Sequence, residues 1–334
     1  MIPGRATAAR AGGRRGAAAL AILAVALAGA GCGGEDRPAE VEPAVDRSDR
    51  ISKLERKVDR LRARAARAEA EAEAAELAGA DGASAGSLDR LVAGLPGRAG
   101  VAVGAPGGGG AAATGGGLAT GAAWSTIKLP IAARALADGG GPDGIGGAGR
   151  DRITAAITRS DNEAAAALFA GLEAAHGGPT GASAAVGETL RRAGDRTTVI
   201  STEGRDGFST YGQTEWSLAE QVRYVAALAG GCVGDAASRR FLLDRMGAVG
   251  GSDVFGLGAL DRPARWKGGW GPGIDGRYLV RQVGLLEAGG GPVVVAMAAI
   301  PDDGSFESGQ EMLNEIAART ARRYAGEAPP PSPC

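Results

Sequence analysis

Ser125 and Lys128 stand three apart in Trp124-Ser125-Thr126-Ile127-Lys128, and on a helix that spacing puts both side chains on one face. A serine hydroxyl is a weak nucleophile until a base takes its proton, so a lysine one turn away supplies the activator, provided it can be neutral. Lysine is scarce here. Only four occur among the 37 basic residues, and of these only Lys128 and Lys267 fall in the stretch that reads as globular. Arginine cannot lose its proton in a protein, whereas a lysine buried beside another cation can, so lysine kept where arginine is the default suggests proton transfer. Lys267 opens Lys267-Gly268-Gly269-Trp270-Gly271, and Ser160-Asp161-Asn162 lies between the two lysines. A helix starting near Ser125 would also aim free backbone N–H groups at the reacting centre. The pattern points to serine–lysine acyl transfer.

Composition excludes several other chemistries. A formal net charge of −1 offers no basic field for nucleic acid. One histidine and three scattered cysteines give no metal-ligand spacing, so neither a metal nor a cofactor is expected. His176, in Ala174-Ala175-His176-Gly177-Gly178, reads as a helix end and not as the base of a Ser-His-Asp triad.

These residues must be positioned by a chain of several parts. Residues 1–32 carry Arg5, Arg10, Arg14 and Arg15, then an apolar run from Ala17 to Leu27, then Ala28-Gly29-Ala30-Gly31-Cys32, the order of an export signal. That ending resembles a bacterial lipoprotein signal, with Gly29 where leucine is usual; the resemblance implies that Cys32 is lipidated and that the protein meets a membrane through this anchor. A polar linker, 33–47, precedes a 3-4 apolar repeat at Ile51, Leu54, Val58, Leu61, Ala65, Ala68, Ala72 and Ala75. The repeat predicts a coiled-coil stalk over 48–78 that could pair copies of the chain, or a lone helical spacer of roughly 45 Å. Residues 79–86 read as a hinge, 87–325 as one domain and the Pro-rich 326–334 as a disordered tail. Within the domain the patterns predict a short helix near 88–95, strands at 100–104 and 111–120, and helices at 125–137, 162–175, 184–193 and 215–228. Strands at 264–269, 278–286 and 292–300 and a helix over 306–323 complete it. Such an order implies a mainly antiparallel sheet covered by helices, an α/β (α+β) fold.

Taken together, Ser125-x-x-Lys128, Ser160-Asp161-Asn162 and Lys267-Gly268-Gly269 resemble the three motifs of the serine β-lactamase and penicillin-binding-protein superfamily, most closely those of class A β-lactamases. The resemblance covers roughly Ser87 to Ala325. It implies a β-lactamase/transpeptidase-like sheet and an exported serine hydrolase acting on an amide, peptide or ester through an acyl-enzyme. The substrate would be a small molecule or a peptidoglycan-type fragment. It further implies Ser125 as nucleophile, Lys128 as base assisted by Lys267, Ser160 as proton relay, Asn162 and the strand from Gly269 to Trp270 as substrate contacts, and the N–H groups of Ser125 and Trp270 as oxyanion donors. Gly268 departs from the usual threonine, with Arg277 as a candidate replacement for anion recognition. The glycine-rich 139–149 reads as a connection that leaves one wall of the pocket open. Glu203 is the nearest candidate for a deacylating glutamate, but Gly207 stands where asparagine would follow it. Two alternatives remain: a noncatalytic cell-envelope lipoprotein with a relict site, and an efficient class A-like β-lactamase.

Overall fold

The computed structural model describes residues 85–108 and 112–334. The export signal, Cys32, the linker, the coiled-coil stalk and hinge residues 79–84 lie outside the described residues; Ala85 and Gly86, read as the end of the hinge, open the first helix, α1 (Ala85–Val92). Five antiparallel strands follow: β1 (Gly97–Gly104), β2 (Ala113–Gly115), β3 (Ala264–Pro272), β4 (Tyr278–Ala288) and β5 (Gly291–Pro301). They lie in the order β2-β1-β5-β4-β3. Between β2 and β3 come α2 (Lys128–Asp138), α3 (Gly141–Gly144), α4 (Gly146–Thr158), α5 (Asn162–His176), α6 (Pro179–Arg192), α7 (Leu218–Gly230) and α8 (Ala236–Met246), and α9 (Phe306–Arg323) closes the chain.

Both faces of the sheet are covered, which is why β5 reads as an unbroken apolar run instead of an alternating one. Val294, Ala296 and Ala298 join the core beneath α2 and α5–α8, while Val293, Val295, Met297 and Ala299 pack toward α1 and α9. Since successive strand side chains point to opposite faces, each run of this strand feeds two cores at once. A one-residue slip of β5 against β1 would exchange the two sets, so the register Val101↔Met297 and Val103↔Val295 is strongly specified.

The stretch 139–149 is helical, not an open connection. Left-handed glycines at 140, 141 and 146 separate α2, α3 and α4, and α4 is held by Ile153, Ala156 and Ile157, all fully buried. Local glycine content argued against a helix, and tertiary burial overrode it. The helix placed at 215–228 starts later, at Leu218: Ser217 is its N-cap, accepting from the Glu220 N–H, while the Thr214 hydroxyl accepts from the Ser201 N–H at 3.0 Å. Helix α8 was not foreseen. The Pro-rich end lies against the domain, with Cys334 bonded to Cys232 and the Ser332 N–H donating to the Pro106 carbonyl at 3.1 Å. Among the described residues no helix is long and apolar enough to cross a membrane.

Candidate active site

The glycines of β3 show how the sheet approaches Ser125. On one face of this edge strand stand Lys267, Gly269 and Gly271, and on the other Gly268 and Trp270. A β-carbon on Gly269 would lie 2.8 Å from the Ser125 nitrogen and 2.9 Å from the Thr126 nitrogen, and one on Gly271 would collide with the Trp124 ring. Only glycine lets the strand backbone press against the turn that carries the serine. That turn, Trp124–Ile127, is a short 3-10 segment leading directly into α2. Behind it the Thr126 hydroxyl donates to the Ala123 carbonyl at 2.6 Å and accepts from the Gln221 amide at 3.0 Å.

Two non-glycine residues adopt left-handed backbone, Trp124 at φ 49° and Ser160 at φ 53°. Each such conformation costs on the order of 1–3 kcal/mol and persists only where surroundings enforce it. Trp124 is held edge-on by Phe208, with ring centroids 5.3 Å apart, and by the Arg205 guanidinium 5.6 Å from its centroid. Ser160 is held by its neighbours on both sides. Asp161 caps α5 by accepting the Ala164 N–H at 2.8 Å, so the cap role belongs to Asp161 and leaves Ser160 and Asn162 for the pocket.

Ser160 ties the two lysines together. Lys128 Nζ donates to the Ser160 carbonyl at 2.6 Å and to Asn162 Oδ1 at 2.8 Å; Lys267 Nζ donates to Ser160 Oγ at 2.8 Å and to the Gly268 carbonyl at 2.9 Å. Lys128 is 3% exposed and Lys267 fully buried. Burial lowers Lys128 to about 8, against the pull of Asp161 and Asp253. Burial, then repulsion from Lys128, lowers Lys267 to about 7. Ser125, Lys128, Ser160, Asn162 and Trp270 line one cavity of about 440 Å³, with Lys267 beneath it. Trp270 turns its ring away from the serine turn, onto Phe306 at 5.1 Å between centroids.

Two expected residues are not brought to this cavity. Glu203 is exposed, its N–H and carbonyl both engaged by the Ser201 hydroxyl, and it lines a neighbouring cleft of about 410 Å³ on the other side of Trp124. Arg277 lines that same cleft and donates to the Pro301 carbonyl at 2.6 Å. The part of the 201–213 loop that does reach the Ser125 cavity, at Gly207, Phe208, Ser209, Tyr211 and Gly212, carries no carboxylate. His176 lies elsewhere, 2.7 Å from Asp138 in a cluster with Arg134.

Three residues escaped the sequence reading. Asp253 lines the cavity, 2% exposed; its Oδ2 lies 3.9 Å from Lys267 Nζ and has no hydrogen-bond partner among the described residues, and burial pushes the carboxyl up. No spacing rule marks an aspartate in Gly250-Gly251-Ser252-Asp253. The other two are adjacent on β4 and serve opposite faces. Arg281 donates to the carbonyls of Gly121, Ala122 and Trp216, fixing the segment before the serine turn, and Gln282 bonds Leu257 and Phe255, fixing the segment that carries Asp253. Two polar residues in the buried stretch of a strand, flanked by Leu279-Val280 and Val283, were the available signal.

Asp253 raises both lysines electrostatically, so Asp253→Asn should lower both. The acidic limb of any reaction that needs a neutral lysine should then move to lower pH. An unmoved limb in a folded variant would show that Asp253 does not set the lysine charge.

No family model matches the sequence, and no curated protein matches it either. Solved structures do match. The chain has the serine β-lactamase fold. It superposes on the TLA-3 extended-spectrum β-lactamase with a TM-score of 0.59 at 14% identity, over 72% of this chain and 98% of that one. It matches an ancestral class A β-lactamase (GNCA) with a TM-score of 0.55 at 22% identity, over 72% and 99% of the two chains. A class A β-lactamase from Mycobacterium abscessus gives 0.55 at 18% identity, over 72% and 98%. At these identities the serine β-lactamase likeness establishes architecture, and chemistry has to be argued from the side chains.

Proposed function

We propose that this protein is a serine hydrolase that acylates Ser125 with an amide, peptide or ester, the acyl-enzyme being cleared slowly. The observation that carries this reading is the pair of lysines joined through Ser160, both buried, both drawn toward neutrality and both beside the serine cavity. A neutral Lys128 takes the proton of Ser125 as its oxygen attacks the carbonyl carbon. Lys267, itself lowered by burial and by the charge of Lys128, donates to the Ser160 hydroxyl, which passes a proton to the leaving atom. The N–H groups of Ser125 and Trp270 receive the developing oxyanion, a role supported by the close approach of β3 to the serine turn. Asn162 and the Gly269–Trp270 backbone hold the substrate, a small molecule or peptidoglycan-type fragment.

The position of Glu203 beside the neighbouring cleft disfavours the efficient β-lactamase reading. The retained lysine pair disfavours a relict binding site. We further propose export and lipid attachment at Cys32, supported by the charged, apolar and small-residue order that precedes it.

Intact mass tests these points together. Wild type should gain one equivalent from a penicillin or from a fluorophosphonate serine probe, and Ser125→Ala should gain none. Equal labelling of the variant would overturn the reading. The untreated mature chain should begin at Cys32 and carry acyl mass; a chain cut elsewhere and bearing none removes the anchor.

A further inference from the structure

We propose that Arg159 is the specificity residue of the Ser125 pocket and that it recognises a carboxylate on the substrate. The proposal deepens the acyl-enzyme reading and rests on it. Three cations border the cavity, and they are not equivalent. Lys128 and Lys267 are buried and spend their hydrogen bonds internally on Ser160, Asn162 and Gly268. Arg159 lines the cavity from its exposed rim, and its guanidinium has no hydrogen bond or ion pair among the described residues. The planar fork of a guanidinium matches a carboxylate with two parallel donors.

The backbone of Arg159 is set for this use. Its N–H closes the last turn of α4 on the Ala155 carbonyl at 3.1 Å, and the next residue, Ser160, is held in its left-handed conformation by the lysine bonds. Arg159 and Ser160 thus line the same cavity as neighbours in the chain.

The opposite wall offers an anion no hydroxyl at position 268. Position 268 is glycine, and the Trp270 ring, packed on Phe306, lies 3.4 Å from where a side chain there would begin. Arg277 faces the neighbouring cleft. The cavity's one carboxylate among the described residues, Asp253, is buried against Lys267 and makes no ion pair with Arg159. The pocket thus has one uncommitted charge, and it is positive.

The test compares two thioesters with the same acyl group, one ending in a free carboxylate and the other in the carboxamide. Acylation is followed by thiol release. Wild type should favour the carboxylate on the order of 10- to 100-fold, the range of one charge-assisted contact. In Arg159→Gln the ratio should fall toward one, through the apparent KM of the anionic ester, and Arg159→Lys should restore part of it. Circular dichroism and thermal melting of both variants check that they fold. If wild type treats the two thioesters alike, or Arg159→Gln keeps the preference, Arg159 is only a solvated arginine. Failure of wild-type Ser125 to take up an uncharged fluorophosphonate would instead sink the acyl-enzyme reading beneath it.

Discussion

Lys128→Arg should lose acyl-enzyme formation, with the acylation rate constant falling on the order of 10²- to 10⁴-fold, the usual worth of a positioned base. The substitution keeps the positive charge and most of the stem, and therefore most of the electrostatics of the site. What it removes is the ability to be neutral, because guanidinium does not deprotonate in a protein. In wild type the base must be free before Ser125 can react. With Lys267 near 7 and Lys128 near 8, acylation should rise through pH 7 to 8 and then level. The direction follows from burial: desolvation penalises the charged ammonium, so the neutral base is populated at lower pH than in a solvated lysine, whose ordinary value is 10.5. Rapid-mixing mass spectrometry across pH 5 to 10 measures both effects. If Lys128→Arg acylates at the wild-type rate, or the profile is flat through that window, the proton goes to some other group.

The residues that meet around Ser125 were legible because their types are rare or paired in this chain, and their elements were legible where local pattern and burial agree. The closing helix, Phe306–Arg323, begins at a capping serine and keeps one apolar stripe, so its bounds follow from the pattern. The helix Gly146–Thr158 was hidden because Gly146, Gly147 and Gly149 lower its local preference, while Ile153, Ala156 and Ile157 are buried by partners distant in sequence. Asp253 was hidden for a different reason. Its role depends on a loop folded over an edge strand and pinned there by Gln282, 29 positions on by residue number, and no local pattern encodes that. Glu203 and Arg277 were singled out by spacing along the chain. Spacing measures distance along a loop and says nothing of which side of Trp124 the loop passes.

That last point sets the second large effect. Acylation has its parts in one cavity, whereas hydrolysis needs a base to prepare water, and no free carboxylate of the 201–213 loop lines that cavity. Asp253 is not a substitute: it sits under Lys267, and burial favours its protonated form. The acyl-enzyme should therefore accumulate. With a chromogenic ester or penicillin, product should appear in a burst equal to the enzyme and then at a steady rate on the order of 10²-fold or more below the burst rate, the loss expected when a general base is missing. The adduct should be visible by intact mass throughout the steady phase. Glu203→Gln should leave that slow phase within about twofold, since Glu203 faces the cleft beyond Trp124 and its backbone, not its carboxylate, holds the loop. The opposite result is equally definite. Should wild type clear its adduct within one turnover time and Glu203→Gln trap it, the loop must carry Glu203 past Trp124 during catalysis, and rapid β-lactam hydrolysis becomes the better reading.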